Sequence, residues 1–266
     1  MDNILLEKLS DYLNNNPDLI TIREINKVSK ILNNDNLALN FLLKEYLEYE
    51  YDYLKILNKL NVIDYMNNSY YKNIKLNNIK YNNWEIKIDK VKPYELFVCD
   101  NFKELNDEII PQIGYFTKPF YYPTIYKDNR LWMSITPNEI NTMKKDISDS
   151  FGNVLVLGLG LGYFPYMISL KNNVYNIDVI EIDKSAIDLY NKYIKNQFDS
   201  KKINVINYDA KEYIKKLDKK YDFIYIDLWH DVSDGIELYK YFKEYEKIYK
   251  DSIFRYWIYD TIKYYL

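Results

Sequence analysis

Apolar runs at residues 154–157, 174–182, 203–207 and 223–226 recur at intervals of about twenty to thirty residues, a spacing that constrains the fold more than any other feature of the chain. Antiparallel neighbours need only a tight turn between them, whereas intervals this long accommodate a crossover helix between parallel strands. The spacing therefore predicts an α/β fold, a doubly wound, mostly parallel sheet with helices on both faces. After Asp227 there is room for a helix through Ile236, Tyr239, Phe242 and Tyr245, a strand over 253–258 and one short final helix. That predicts a C-terminally shortened sheet of about five strands in the order 3-2-1-4-5, unless strands from residues 70 to 135 complete it.

The loop after the first run reads Gly158-Leu159-Gly160-Leu161-Gly162. At the first crossover of such a sheet, small residues let a ligand approach the backbone. A dinucleotide loop would continue with glycine or alanine for close helix packing; Tyr163 stands there, which argues against NAD and FAD. A tight turn without a ligand would also use glycines, so the acids in register with the loop matter. Glu181, followed by Ile182, closes the second run, where a carboxylate can accept from both hydroxyls of a ribose. Asp209, followed by Ala210, closes the third and could accept from an adenine amino group; Asp227 closes the fourth. Solvated strand ends often carry acids, but three in step with a glycine loop point to a nucleoside.

Through VLVLGLGLG, VIEID, NYDA and YDFIYIDLWHD, in that order, the sequence from about Phe151 onward resembles the class I S-adenosylmethionine-dependent methyltransferase family. The resemblance implies a Rossmann-like sheet and S-adenosylmethionine as cofactor. It places Gly158, Leu159, Gly160 and Gly162 against the methionyl part, Glu181 and Ile182 at the ribose, Asp209 and Ala210 at adenine, and residues 227–231 beside the transferring methyl group. Leu157 departs from the pattern, since many members place an acid there. VLVLGLGLG and VIEID, preceded by RLWMSITPNEINTM, are also similar to spermidine synthases, which use decarboxylated S-adenosylmethionine and transfer an aminopropyl group; DLWHD replaces their Asp-Ser-rich loop. The main expectation is in-line methyl transfer to an unidentified acceptor, with a small molecule favoured. The alternatives are a spermidine synthase-like aminopropyltransferase and a non-catalytic S-adenosylmethionine-binding module.

His230 is the only histidine and falls in the acceptor-side loop. An imidazole suits a base that takes a proton from an attacking hydroxyl or amine; a histidine that caps or packs before the next helix is the alternative. Asp227 and Asp231 could orient the imidazole or bind a cationic substrate, although Asp231 also suits the helix N-terminus. Asp227 also matches the acid that metal-dependent catechol-type methyltransferases place after the fourth strand, but that resemblance implies a second Asp-Asn pair after the next strand, where this sequence reads DSIFRYWIYD, so no metal is expected. Trp132, Trp229, Tyr163 and Phe164 would either wall the acceptor pocket or pack in the core.

The first sixty-odd residues read as helices: Ile4, Leu5, Leu9, Tyr12 and Leu13 recur at helical spacing, and Thr21-Ile22-Arg23-Glu24 forms a capping box. A third helix is predicted from Leu37 to about Val62, a stretch with neither Gly nor Pro. Alternation at Trp84, Ile86 and Ile88, scattered prolines and the Asp128-Asn129 turn predict strands and a β-hairpin. The expected organisation is a helical module over 1–66, a strand-rich substrate-side segment over 67–135 and the nucleoside-binding domain over 136–266. With 36 basic against 39 acidic residues, the net charge of -3 argues against nucleic acid as a partner. No apolar stretch is long enough to span a membrane, and the single cysteine, Cys99, fits a reducing cytoplasm. A homo-oligomer is left open.

Overall fold

The computed structural model describes residues 3–105 and 107–266. In chain order the helices are α1 (Asn3–Asn15), α2 (Ile22–Leu32), α3 (Asp35–Leu47), α4 (Val62–Met66), α5 (Ser69–Asn73), α6 (Pro137–Asp149), α7 (Tyr163–Ser169), α8 (Lys184–Tyr193), α9 (Ala210–Tyr213), α10 (Val232–Lys243) and α11 (Tyr259–Ile262). The strands are β1 (Leu57–Leu60), β2 (Ile79–Tyr81), β3 (Trp84–Val91), β4 (Phe97–Leu105), β5 (Glu108–Phe116), β6 (Phe120–Lys127), β7 (Arg130–Ser134), β8 (Gly152–Leu157), β9 (Val174–Glu181), β10 (Ile203–Asn207), β11 (Phe223–Ile226) and β12 (Ile253–Tyr256). Two compact units result, one from the residues up to Tyr65 with Lys90–Tyr121, the other from Met66–Asp89 with Tyr122–Leu266. The stretch 67–135 is thus shared between them.

In the first unit α1, α2 and α3 bury Leu5, Leu9, Tyr12, Ile25, Leu39 and Leu43 in a core that includes Ile113 and Tyr115 of β5. The Thr21 hydroxyl accepts from the Glu24 N–H at 3.3 Å, and the Glu24 carboxylate accepts from the Thr21 N–H at 2.9 Å, closing the capping box. The third helix stops far short of Val62. It ends at Leu47, where Glu48 turns left-handed at φ 48. Tyr53 then donates its N–H to Asn40 Oδ1 at 2.9 Å, and Leu57–Leu60 runs parallel to β5 from Ile113 to Phe116. Strand pairing that buries Ile56 and Leu57 outweighs the helical preference of this stretch.

The second unit carries two sheets. One has the order β2-β3-β6-β7, with β6 and β7 joined as a hairpin through Asp128 and Asn129 at φ 51 and 63, the left-handed pair that a two-residue turn requires. The other is parallel throughout, in the order β10-β9-β8-β11-β12. Its central strands are apolar on both faces: Val154, Leu155, Leu157, Ile177, Val179, Phe223 and Ile224 are completely shielded from solvent. Burying each such side chain contributes about 1.5–3 kcal/mol. Among the described residues no helix is long and apolar enough to cross a membrane.

Candidate functional site

Parallel strands deliver their C-terminal ends to one edge of the sheet. Leu157 is level with Ile226 and Ile180, and Glu181 with Asn207. Gly158, Leu159, Gly160 and Gly162 therefore follow β8, Glu181 and Ile182 end β9, Asp209 and Ala210 follow β10, and Asp227 and His230 follow β11, all on that edge.

At two of the glycines the backbone itself requires the residue. Gly158 has φ 105, and a Cβ on it would collide with the Asp227 carbonyl oxygen. Gly160 has φ 49, and its Cβ would meet the Met133 sulfur. That sulfur also accepts the Leu161 N–H at 3.2 Å, so β7 forms a wall directly over the loop. The loop closes at Gly162, immediately before α7. Tyr70 OH donates to the Leu161 carbonyl at 2.7 Å, holding it from the α5 side.

Glu181 is tied to this loop. One carboxylate oxygen accepts the Leu159 N–H at 3.4 Å and the other the Asp183 N–H at 2.8 Å. Burial pushes the Glu181 carboxyl above its usual range, and those two backbone donors pull it back in part. Beyond it, Ile182 is 66% exposed and Tyr208 51% exposed although both are apolar or aromatic. They stand at neighbouring strand ends, since Tyr208 donates its N–H to the Glu181 carbonyl at 3.1 Å. An uncovered apolar pair beside a polar anchor offers a flat base a surface to stack on. Asp209 uses Oδ1 to cap the short α9, accepting from the N–H groups of Lys211 and Glu212 at 2.7 and 3.3 Å. Ala210 is the buried first residue of that helix.

On the β11 side the electrostatics change. The Asp227 N–H donates to the Leu157 carbonyl at 2.9 Å, fixing the residue beside Gly158. Its carboxyl is raised by burial. Glu139, in the first turn of α6, is raised well above the carboxylate range by burial and then by the charge of Asp227. Among the described residues no cation offsets either group. Among the described residues Glu139 Oε2 is buried without a hydrogen-bond partner, as is the hydroxyl of Tyr225 beside it, and the same holds for Trp229 Nε1 and His230 Nε2 on the segment after β11. Each such atom costs on the order of 1–3 kcal/mol unless something binds it.

His230 is held from one side. Its Nδ1 lies 2.9 Å from Asp234 Oδ2, and its backbone N–H donates to Asp234 Oδ1 at 3.0 Å. Trp132 meets the imidazole edge-on with centroids 4.8 Å apart. Tyr163 and Phe164 are buried in α7, the former accepting from Asn68 Nδ2 at 2.8 Å and the latter stacked on Tyr225. Asp231 caps α10, accepting the Ser233 N–H at 2.7 Å.

Sequence reasoning missed Glu139, Met133 and Asp234. Glu139 and Met133 lie within RLWMSITPNEINTM, but an acid in a first helical turn ordinarily serves the helix dipole, and only its burial beside Asp227 sets it apart. Asp234 carried a legible signal, since Asp231-x-x-Asp234 has capping-box spacing.

A family model described as the spermine/spermidine synthase domain matches residues 139–256. The polyamine aminopropyltransferase of Methanocaldococcus jannaschii is 33% identical over 78 residues, covering 28% of this chain and 27% of that protein. That of Saccharolobus solfataricus is 30% identical over 101 residues, covering 36% and 34%. The matched stretches thus span about a third or less of these curated relatives. Among solved structures, spermidine synthase from Thermotoga maritima aligns with a TM-score of 0.36 at 16% identity, covering 58% of this chain and 54% of the other. Human methyltransferase-like protein 13 aligns with a TM-score of 0.32 at 22% identity, covering 41% and 54%. The family match and the curated relatives overturn two expectations: methyl transfer as the reaction, and S-adenosylmethionine as its methyl-donating cofactor.

Proposed function

We propose that this chain transfers an aminopropyl group from decarboxylated S-adenosylmethionine to a small amine acceptor. The observation that carries the reading is the Glu139–Asp227 pair, a buried and a half-buried carboxyl that both resist ionising and that, among the described residues, form no ion pair. A ligand ending in an ammonium would favour the ionised form of both carboxyls and pair with it, whereas an α-carboxylate would meet two acids that burial already holds back from ionising and would find no partner there. Such a crevice favours the decarboxylated donor over its parent. The family match over residues 139–256 includes both acids and points the same way.

On this reading the loop 158–162 lies against the sulfonium side of the donor, Glu181 accepts from the ribose hydroxyls, and Ile182 and Tyr208 flank the base, with Asp209 and Ala210 at its edge. Asp227 and His230 face the incoming amine. The reaction is an in-line displacement: the amine nitrogen bonds the propyl carbon attached to sulfur, that carbon–sulfur bond breaks, and its electron pair neutralises the sulfonium. Charge moves but is not created, so alignment of nitrogen, carbon and sulfur supplies most of the rate. Incubation with decarboxylated S-adenosylmethionine and a linear aliphatic diamine, read by mass spectrometry, tests the proposal. A diamine heavier by one aminopropyl unit is expected; unchanged diamine would refute it.

A further inference from the structure

We infer that Asp234 is a positioning residue for His230, fixing the imidazole with its proton on Nδ1 so that Nε2 accepts the proton of the acceptor ammonium. The inference rests on the aminopropyl-transfer reading above. The geometry supplies three parts. Asp234 Oδ2 lies 2.9 Å from Nδ1 while Oδ1 accepts the backbone N–H groups of His230 and Asp231 at 3.0 and 3.1 Å, so the carboxylate is anchored before it meets the ring. The carboxylate has no proton to give, so the bond to Nδ1 requires the proton there and leaves the Nε2 lone pair free. Nε2 is enclosed and has no hydrogen-bond partner.

The surroundings place the ring at the edge of the parallel sheet that carries the glycine loop. Trp132 meets the ring edge-on, and its neighbour Met133 touches the glycine loop at Gly160 and Leu161. Asp227, beside Gly158, begins the short segment that carries His230. The charged groups around the imidazole are Asp231 and Asp234 on its own segment, Asp227 at the strand end, and Lys127 of β6 behind Trp132, 5.5 Å from that ring centroid and paired with Asp183 at 2.6 Å. Burial raises Asp234, but hydrogen bonds from the His230 ring and from the backbone of Asp231 and His230 outweigh it and hold the carboxyl below its usual range.

An aliphatic amine is protonated near neutral pH and has no lone pair to attack with. Nε2 takes one proton from the ammonium, the freed nitrogen bonds the propyl carbon, and the carbon–sulfur electron pair returns to sulfur. The product is a secondary ammonium and a neutral thioether, and the imidazolium returns its proton to solvent. Atoms and charge balance without a further reagent.

The test uses the fact that His230 is the sole histidine. In protein labelled with 15N-histidine, one imidazole reports its own tautomer by NMR. Wild type is expected to carry the proton on Nδ1. Asp234→Asn keeps an oxygen for the backbone N–H groups but turns an amide N–H toward Nδ1, so the proton should move to Nε2. The same variant should lose at least about 100-fold in kcat near pH 7, the usual scale for a general base, with donor Kd within about twofold. The loss should shrink as pH rises and the amine deprotonates unaided. An Nε2-protonated wild type, or an Asp234→Asn enzyme with undiminished kcat, would overturn the inference and leave Asp234 as a helix cap. Failure of wild type to transfer any aminopropyl group while the Nδ1 tautomer is present would overturn the functional reading and, with it, the base role, while the positioning contact would stand.

Discussion

Glu181 and Glu139 are both glutamates of the second unit whose carboxyls burial raises, yet they are built for different work. Glu181 accepts backbone N–H groups on both oxygens. Glu139 leaves Oε2 unpaired and shares its surroundings with Asp227 and the equally unpaired Tyr225 hydroxyl. In the proposed function the first carboxylate is the anchor, with spare lone pairs for a neutral sugar. The second is an unsatisfied pair, which only a positive charge or a shared proton relieves. On the proposed function the sheet edge thus has a neutral-polar end and a cation-seeking end.

If that contrast is right, the cation-seeking end should show the largest effects. Asp227→Asn is expected to lower kcat/KM for aminopropyl transfer about 100-fold, about 2.7 kcal/mol, through loss of a charge that touches the reacting amine. Steady-state rates against the wild type check this, and a change under threefold would remove Asp227 from the site. At the anchor end, Glu181→Ala should weaken donor binding tenfold or more, on the order of 1.5–3 kcal/mol for charge-assisted hydrogen bonds, as measured by calorimetry. Unchanged affinity would mean that the sugar does not lie there.

The smallest effect is on stability. A carboxyl raised in the folded state keeps its proton where the unfolded chain has released it, so its contribution is complete below the unfolded value and is lost as pH rises through the folded one. For Glu139 the loss therefore begins above about 4.5. Glu139→Gln should flatten that loss: relative to wild type, its melting temperature should gain about 2–4 °C at pH 8 for each 1 kcal/mol recovered, and gain nothing near pH 4. A gain equal at both pH values would show that Glu139 is not the titrating group.

The strand order and the place of Glu181 at a strand end were legible in the sequence because both rest on local signals. The apolar runs mark β8 to β11, and Glu181 stands one strand after the glycine loop, where backbone geometry alone dictates its place. The cation-seeking end was half legible. Asp227 ends a strand and could be named, but Glu139 reaches it from α6, and no local pattern tells a dipole-serving acid from a buried one. Residues 48–60 misled for a related reason: without Gly or Pro they read as helix, while partners more than fifty residues away in β5 made Leu57–Leu60 a strand. Long-range pairing overrides local preference there.

The preference of the crevice between two donors that differ by a single carboxylate tests the central claim most directly. Calorimetric titration of the full chain with decarboxylated S-adenosylmethionine and with S-adenosylmethionine should give at least a tenfold tighter Kd for the decarboxylated form, about 1.4 kcal/mol, and Glu139→Gln should narrow that gap. Equal affinities, or tighter binding of the carboxylate-bearing donor, would contradict the account.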